Sequence, residues 1–123
     1  MTALLSNLWG SNNSVPLELE STMEAIQNSR RRHLLLLVDD QDEALSVGQL
    51  AETIASIELN KNIPELNSQE RKRVYVALTQ CHLDTLDETG AVRYDERSKQ
   101  VYKNDATAGL ASLVRHLEAV CES

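Results

Sequence analysis

Membrane-length hydrophobic runs are missing from this 123-residue chain. The longest run, LLLLV at Leu34–Val38, falls far short of the ~20 apolar residues of a spanning helix and reads as a buried helix segment. The opening MTALLSNLWGSNNS lacks the basic start of a secretory leader, so no membrane or export role is expected. Residues 1–16 read as a flexible lead-in in which Leu4, Leu5, Leu8 and Trp9 are candidates for docking. Cysteine is scarce. Cys81 and Cys121 are the two present, both on apolar helical positions, and buried reduced thiols are the expectation. His33, His82 and His116 are dispersed, and adjacent Cys81 and His82 point about 100° apart on a helix. That is a poor ligand pair, so no metal is expected. Nucleophile elbows, phosphate-cradling glycine loops and paired carboxylates in a cleft are absent, so neither an enzyme nor a cofactor is expected. No Gly/Ser-rich linker or repeat divides residues 15–123.

Cations are also outnumbered, 12 against 19 acidic residues, for a formal net charge of −7. They are unevenly placed. Residues 1–67 carry a net −6, residues 104–123 a net −2, and residues 68–103 a net +1. The segment SQERKRVYVALTQCHLDTLDETGAVRYDERSKQVY is thus the only stretch that is not acidic. A local excess of cations is the electrostatic signature of a polyanion binder, and patchy surface charge is the plain alternative.

Hydrophobic spacing and capping signals give five helices and one hairpin. The first helix spans Leu17–Gln27 after Pro16, or starts later through a Ser21/Glu24 capping box, with Met23 and Ile26 as core contacts. The second, Arg30–Asp39, is capped by Ser29. Leu34, Leu37 and Val38 form its face and Leu35 and Leu36 widen it. Arg30, Arg31 and Arg32 in its first turn oppose the helix dipole, so acidic side chains or phosphate must compensate. Leu45-Ser46 reads as a short strand. Ser46 and Gln49 form a capping box for a third helix to about Leu59, with Val47, Leu50, Ala51, Ile54 and Ile57 at helical spacing. Asn67 and Glu70 cap a fourth helix, about 68–88, that Gly90 ends. Ala91–Tyr94 and Gln100–Lys103 alternate as a hairpin about the turn DERSK. Asp105 caps a last helix with the stripe Leu110, Leu113, Val114, Leu117 and Cys121, which packs on its own domain or on a second copy.

On a 100° wheel the fourth helix turns Val74, Leu78, Cys81 and Thr85 inward, with Tyr75, His82 and Leu86 beside them. Opposite lie Gln69, Lys72, Arg73, Val76, Thr79, Gln80 and Leu83. Arg, Lys and Gln read base edges, and Thr meets phosphate or a thymine methyl. Val76 and Leu83 on that side fit a protein contact better. His82 reads as a hydrogen-bonded core histidine.

The order helix, helix, short strand, helix, helix, two-stranded ribbon resembles the arsenic-repressor-like winged helix-turn-helix superfamily. NSRRRHLLLLV, VGQLAETI and CHLDTLDETGAVRYD are similar to its second helix, its first helix-turn-helix element and its recognition-helix end. SRRRHLLLLV, QLAETI, ERKRVYVAL and the following HL, L and G-V-Y-D resemble a haloarchaeal winged-helix family of unknown function. The resemblance covers residues 17–103. It implies a mainly α fold with a small β-wing: a winged helix-turn-helix domain over 17–103, preceded by a flexible 1–16 and followed by 104–123 as a dimerising helix. It implies a cytoplasmic, homodimeric transcription regulator of cellular, viral or plasmid origin that binds double-stranded DNA. Helix 68–88 enters the major groove and wing 91–103 lies on the backbone. Gln69, Lys72, Arg73, Thr79, Gln80, Arg93, Arg97 and Lys99 contact DNA, and Leu110, Leu113, Val114, Leu117 and Cys121 pair the subunits. A halophilic source also accounts for the acidic average. The linker 60–67 departs from the pattern, being longer than the ~3–4 residues of a helix-turn-helix turn. The competing reading is a winged-helix adaptor or anti-repressor that binds a protein partner and no nucleic acid.

Overall fold

The computed structural model describes residues 14–121. They form a mainly helical fold with a small antiparallel sheet of order β1-β3-β2. The apolar lead-in residues Leu4, Leu5, Leu8 and Trp9 lie outside the described residues.

Helix α1 is Leu19–Ile26, later than expected, with Glu18 preceding it in extended backbone. Its inward stripe is Thr22, Ala25 and Ile26. Met23 is 56% exposed, contrary to expectation, because it shares the neighbouring stripe with Leu19 rather than the core stripe. Helix α2, Ser29–Asp39, is capped by Asn28 and not by Ser29: Asn28 Oδ1 accepts from the amides of Arg30 and Arg31. Leu34, Leu35 and Val38 are buried, whereas Leu36 and Leu37 only pack against the core's edge. Leu37 was the expected core residue. The helix is turned so that Leu35 takes that place.

The arginine triplet has an internal explanation. Arg31 Nη1 donates to the Glu24 carbonyl (2.7 Å) and Arg32 Nη1 to the Ile26 carbonyl (2.6 Å). Cations at the wrong end of α2's own dipole therefore sit at the favourable C-terminal end of α1, where carbonyls lack partners. Arg30 forms a bidentate pair with Glu58, at 2.6 and 3.0 Å.

Strand β1, Leu45–Ser46, pairs with β3 and leads directly into α3, Val47–Leu59, through the expected Ser46/Gln49 capping box. Val47, Leu50, Ala51, Ile54 and Ala55 are buried, and Ile57 is not, since the helix end extends beyond the core. Asn60, in the left-handed region (φ 52°), closes α3. The linker is not slack. Ile63–Glu65 is a 3-10 turn with its own Asn62/Glu65 box, and Leu66 plugs the core. Asn67 and Glu70 then cap α4, Ser68–Ala77, reciprocally as expected.

After α4 the helix continues through a π turn, Leu78–His82, into α5, Leu83–Thr89. Gly90 (φ 85°) ends it, with its own amide on the Asp87 carbonyl and that of Ala91 on Leu86. That left-handed turn is the position where glycine is needed. Strands β2, Val92–Asp95, and β3, Gln100–Lys103, form the hairpin. Helix α6, Thr107–Val120, is not capped by Asp105, which is exposed. Thr107 Oγ1 instead accepts from the Asn104 amide and donates to the buried Ala91 carbonyl (2.7 Å). Leu110, Ala111 and Val114 are fully buried, and Leu110 and Val114 belong to the same core cluster as the other helices. The backbone of Ser14 and Val15 lies directly on Gly109, where an added Cβ would come within 2.4 Å of the Ser14 carbonyl oxygen.

Leu35→Ala is expected to cost about 2–5 kcal/mol through lost burial and a cavity. Leu37→Ala, at the edge, should cost roughly 1 kcal/mol or less because its site is already partly solvated. Urea melts of the two variants check the difference, and equal losses would contradict the observed rotation of α2.

Candidate nucleic-acid interface

One wide turn sets which side of the long helix faces out. The Leu83 amide bonds the Leu78 carbonyl, five residues back, so one extra residue is accommodated between them. Everything beyond the turn lags by one position, about 100°. His82 takes the angular place of Cys81, and Leu86 that of Thr85. Val74, Leu78, His82, Leu83 and Leu86 are buried, Thr85 is half-buried and Cys81 is exposed. Two expectations are thereby corrected. Leu83 is a core residue and not part of the outward face. Cys81 is not a buried thiol, and neither is Cys121, which lies past the end of α6.

His82 Nδ1 accepts a hydrogen bond from Arg31 Nε at 3.1 Å. An imidazole that accepts at Nδ1 is neutral. Burial first, then the nearby charges of Arg31 and Arg30, push its pKa below the ordinary value of 6.5, and Glu58 opposes them. His82 is thus the hydrogen-bonded core histidine that its position implied.

On the outward side of α4, Gln69, Lys72, Arg73 and Val76 are exposed, and Gln80 is exposed within the π turn. Thr79 is half-buried and its hydroxyl bonds back to the carbonyls of Tyr75 and Val76, leaving chiefly its lone pairs for a ligand. Arg71, next in sequence, is engaged. It pairs with Glu52 (2.8 Å) and reaches the Ile63 carbonyl (3.0 Å), fastening α4 to α3 and the linker turn. Lys61 pairs with Glu70 at 2.7 Å, and that hydrogen bond, with the Asn67 amide, holds the Glu70 carboxyl below the usual range. Between the starts of α3 and α4 runs an open groove of about 560 Å³. Its polar lining includes Ser46, Gln49, Ser68, Arg71 and Lys72, with Tyr75 beside them.

On the hairpin, Arg93 stands opposite Tyr102, its guanidinium 4.0 Å from the ring centroid. Arg97 and Lys99 are exposed in the turn, and Lys99 adopts a left-handed conformation (φ 57°). Asp95 is held ionised, first by the Ser98 hydroxyl and further by the Arg97 and Ser98 amides and by Arg93, so the ribbon is not purely cationic.

The cations now divide cleanly. Arg30, Lys61, Arg71, Lys103 and Arg115 meet carboxylates. Arg31 and Arg32 are bonded to carbonyls. Among the described residues, Lys72, Arg73, Arg93, Arg97 and Lys99 have no carboxylate within ion-pair distance, and all five belong to α4 or the hairpin. The sequence could not tell Arg71 from Lys72, because the distinction depends on Glu52, nineteen residues earlier.

Of the residues expected at a subunit interface, Leu110 and Val114 are fully covered within one chain, which removes them as contacts. Helix α2 occupies that side of α6. Leu113 and Leu117 pack partly on the core, and Cys121 is exposed.

A family model matches residues 23–102. The chain belongs to the family described as Domain of unknown function (DUF7344). The DUF7344 match runs from α1 into β3 and so includes α4 and most of the hairpin, while α6 lies beyond it. No curated protein and no solved structure matches the chain. No helix among the described residues is long and apolar enough to cross a membrane.

In the native Cys121→Ser protein, Cys81 should react with a soluble disulfide reagent within about tenfold of the rate of a free thiol, since exposure and thiolate fraction control that rate. A thiol that reacts only on unfolding would indicate a regular helix with Cys81 turned inward.

Proposed function

We propose that the protein is a DNA-binding transcription regulator that acts as a homodimer through a winged helix-turn-helix. In this reading α3, the linker turn and α4 form the helix-turn-helix, α4 enters the major groove, and the β2–β3 hairpin is the wing on the backbone. The observation that carries it is that, among the described residues, the cations with neither an ion-pair carboxylate nor a backbone carbonyl as acceptor are confined to α4 and the hairpin. A protein with net charge −7 has acids to spare, yet places none within ion-pair distance of these five among the described residues. Lys72, Arg73, Gln69 and Gln80 are the base-reading and base-proximal candidates. Arg93, Arg97 and Lys99 are candidates for phosphate. Thr79 fits a phosphate or methyl contact better than a donor role, given its bonds to its own helix.

The subunit contact in this proposal shifts from the stripe first expected to its outer margin. Leu113 and Leu117 remain, joined by Val120 (63% exposed) and by Leu19 and Met23 on α1, which touches α6. The competing protein-interaction reading keeps support from exposed Val76, and from Ile57, Leu59 and Ile63 around the end of α3. It loses Leu83, which is buried.

The deciding experiment is fluorescence anisotropy with duplex from the gene's own upstream region, in low and high KCl. Binding should weaken as salt rises, through counterion release. Lys72→Ala and Arg73→Ala should each cost about 1–3 kcal/mol where a bidentate base contact is lost. Arg97→Ala and Lys99→Ala should weaken all sequences alike and lower the salt slope by about 1 each. Unchanged affinity in all four variants would refute the assignment of α4 and the hairpin.

Light scattering should report twice the 13.7 kDa chain mass. Met23→Asp with Val120→Asp should yield a folded monomer, because both side chains are exposed within one chain. A wild-type monomer at high micromolar concentration and high salt would remove the homodimer from the proposal.

A further inference from the structure

Arg31 is the most deeply placed cation of the described residues, 8% exposed, yet no carboxylate meets it. Its acceptors are neutral: the Glu24 carbonyl on α1 and His82 Nδ1 in the π turn. Arg30, beside it on α2, is neutralised by Glu58 of α3 through a bidentate pair. The charged groups facing His82 are therefore Arg31, Arg30 and Glu58, and Glu58 is already engaged. A proton on His82 removes the lone pair that Arg31 uses and sets two cations against each other in a water-poor site, where charge repulsion is strong. The π turn that carries His82 is also the irregular turn of the long helix, of a rare kind that occurs mostly as single-turn bulges within α-helices.

We propose that the Arg31–His82 contact is a proton-operated latch. With the imidazole neutral, it pins the wide turn to α2 and fixes the direction of α4. With the imidazole protonated, the turn comes free and α4 loses its set orientation relative to the hairpin. Arg31 and His82 are positioning residues, since neither lies on the outward face. The expected effect on DNA rests on the function proposed above; the effect on the turn does not.

The direction follows from the lowered pKa of the folded protein. The unfolded chain takes up the proton first as pH falls below 6.5. The contact's stabilisation is complete above that value and is lost as pH falls through the lower folded pKa. Amide hydrogen exchange, corrected for intrinsic rates, should be followed at Gln80–Leu83 from about pH 7.5 downward until the His82 ring has titrated, on the side of its ordinary pKa where it charges. His82→Asn keeps an acceptor but cannot be protonated, and serves as the comparison. The wild type should lose about tenfold or more protection at these amides relative to α6, as expected of a local opening. His82→Asn should lose none, and duplex affinity should fall with the same pH profile in the wild type alone. Equal loss in both proteins, or a titrating His82 ring with unchanged protection, would overturn the latch. If His82→Asn fails to fold, ring and amide shifts of the wild type decide. A shared midpoint below 6.5 supports the latch, and separate midpoints overturn it. No duplex binding at any pH would defeat the DNA reading and leave the latch to be judged on the amides.

Discussion

The helix that begins at Ser68 must meet two demands that a regular α-helix cannot meet together. At its start, Val74 and Leu78 must point into the domain while Lys72, Arg73 and Val76 point out. Beyond Leu78 the inward-facing apolar residues are Leu83 and Leu86, about one position out of phase with that stripe. One five-residue turn reconciles them. The rest of the domain depends on that correction. Leu83 and Leu86 fill the space beneath α1 and β2, the helix ends at Gly90 in the direction that starts the hairpin, and β3 then bridges to β1 ahead of α3. A regular helix would leave Leu83 in solvent and put Cys81 and Thr85 beneath α1.

The second organising fact is the distribution of charge between scaffold and surface. Arg30, Arg31, Arg32 and Arg71 read in sequence like parts of a polyanion site. They act as internal ties instead: α2 to α1, α2 to α3, and α4 to α3. Their acceptors are backbone carbonyls, the His82 ring and one carboxylate each for Arg30 and Arg71. Such exposed or half-exposed pairs contribute little individually, but the Arg71 tie also bonds the linker turn and so fixes how α4 leaves it. Among the described residues, the cations that meet neither a carboxylate nor a carbonyl stand on α4 and the hairpin only, and that contrast is more informative than the net charge.

Most local signals were legible and distant ones were not, although Asn28 took the cap of α2 from its neighbour Ser29. Ser46 with Gln49, Asn67 with Glu70, and Gly90 announced their helix ends correctly, because each cap involves residues within one turn. The cap at Asp105 failed because the competing bond from Thr107 goes to Ala91, sixteen residues away. The exposed side of α4 was legible as far as Gln80. Beyond it the wheel assigned Cys81, Leu83 and Thr85 wrongly, since a fixed 100° step has no means of registering an inserted residue. Arg71 and the burial of Leu110 and Val114 depend on partners elsewhere in the chain. Leu37 and Met23 depend on rotations of a few tens of degrees, which helical periodicity alone does not resolve.

The wide turn also bears on how many residues this part of the chain needs. One surplus residue between Leu78 and His82 is geometrically the same as a one-residue insertion in a regular helix. Removing a single residue there, Gln80 or Cys81, would let the backbone return to ordinary i→i+4 pairing while His82, Leu83 and Leu86 stay where they are. Chains that differ from this one by a single gap at that point can therefore share its core without compensating changes. Lengths on either side of the gap, from Ser68 to Leu78 and from His82 to Gly90, are far less free to vary.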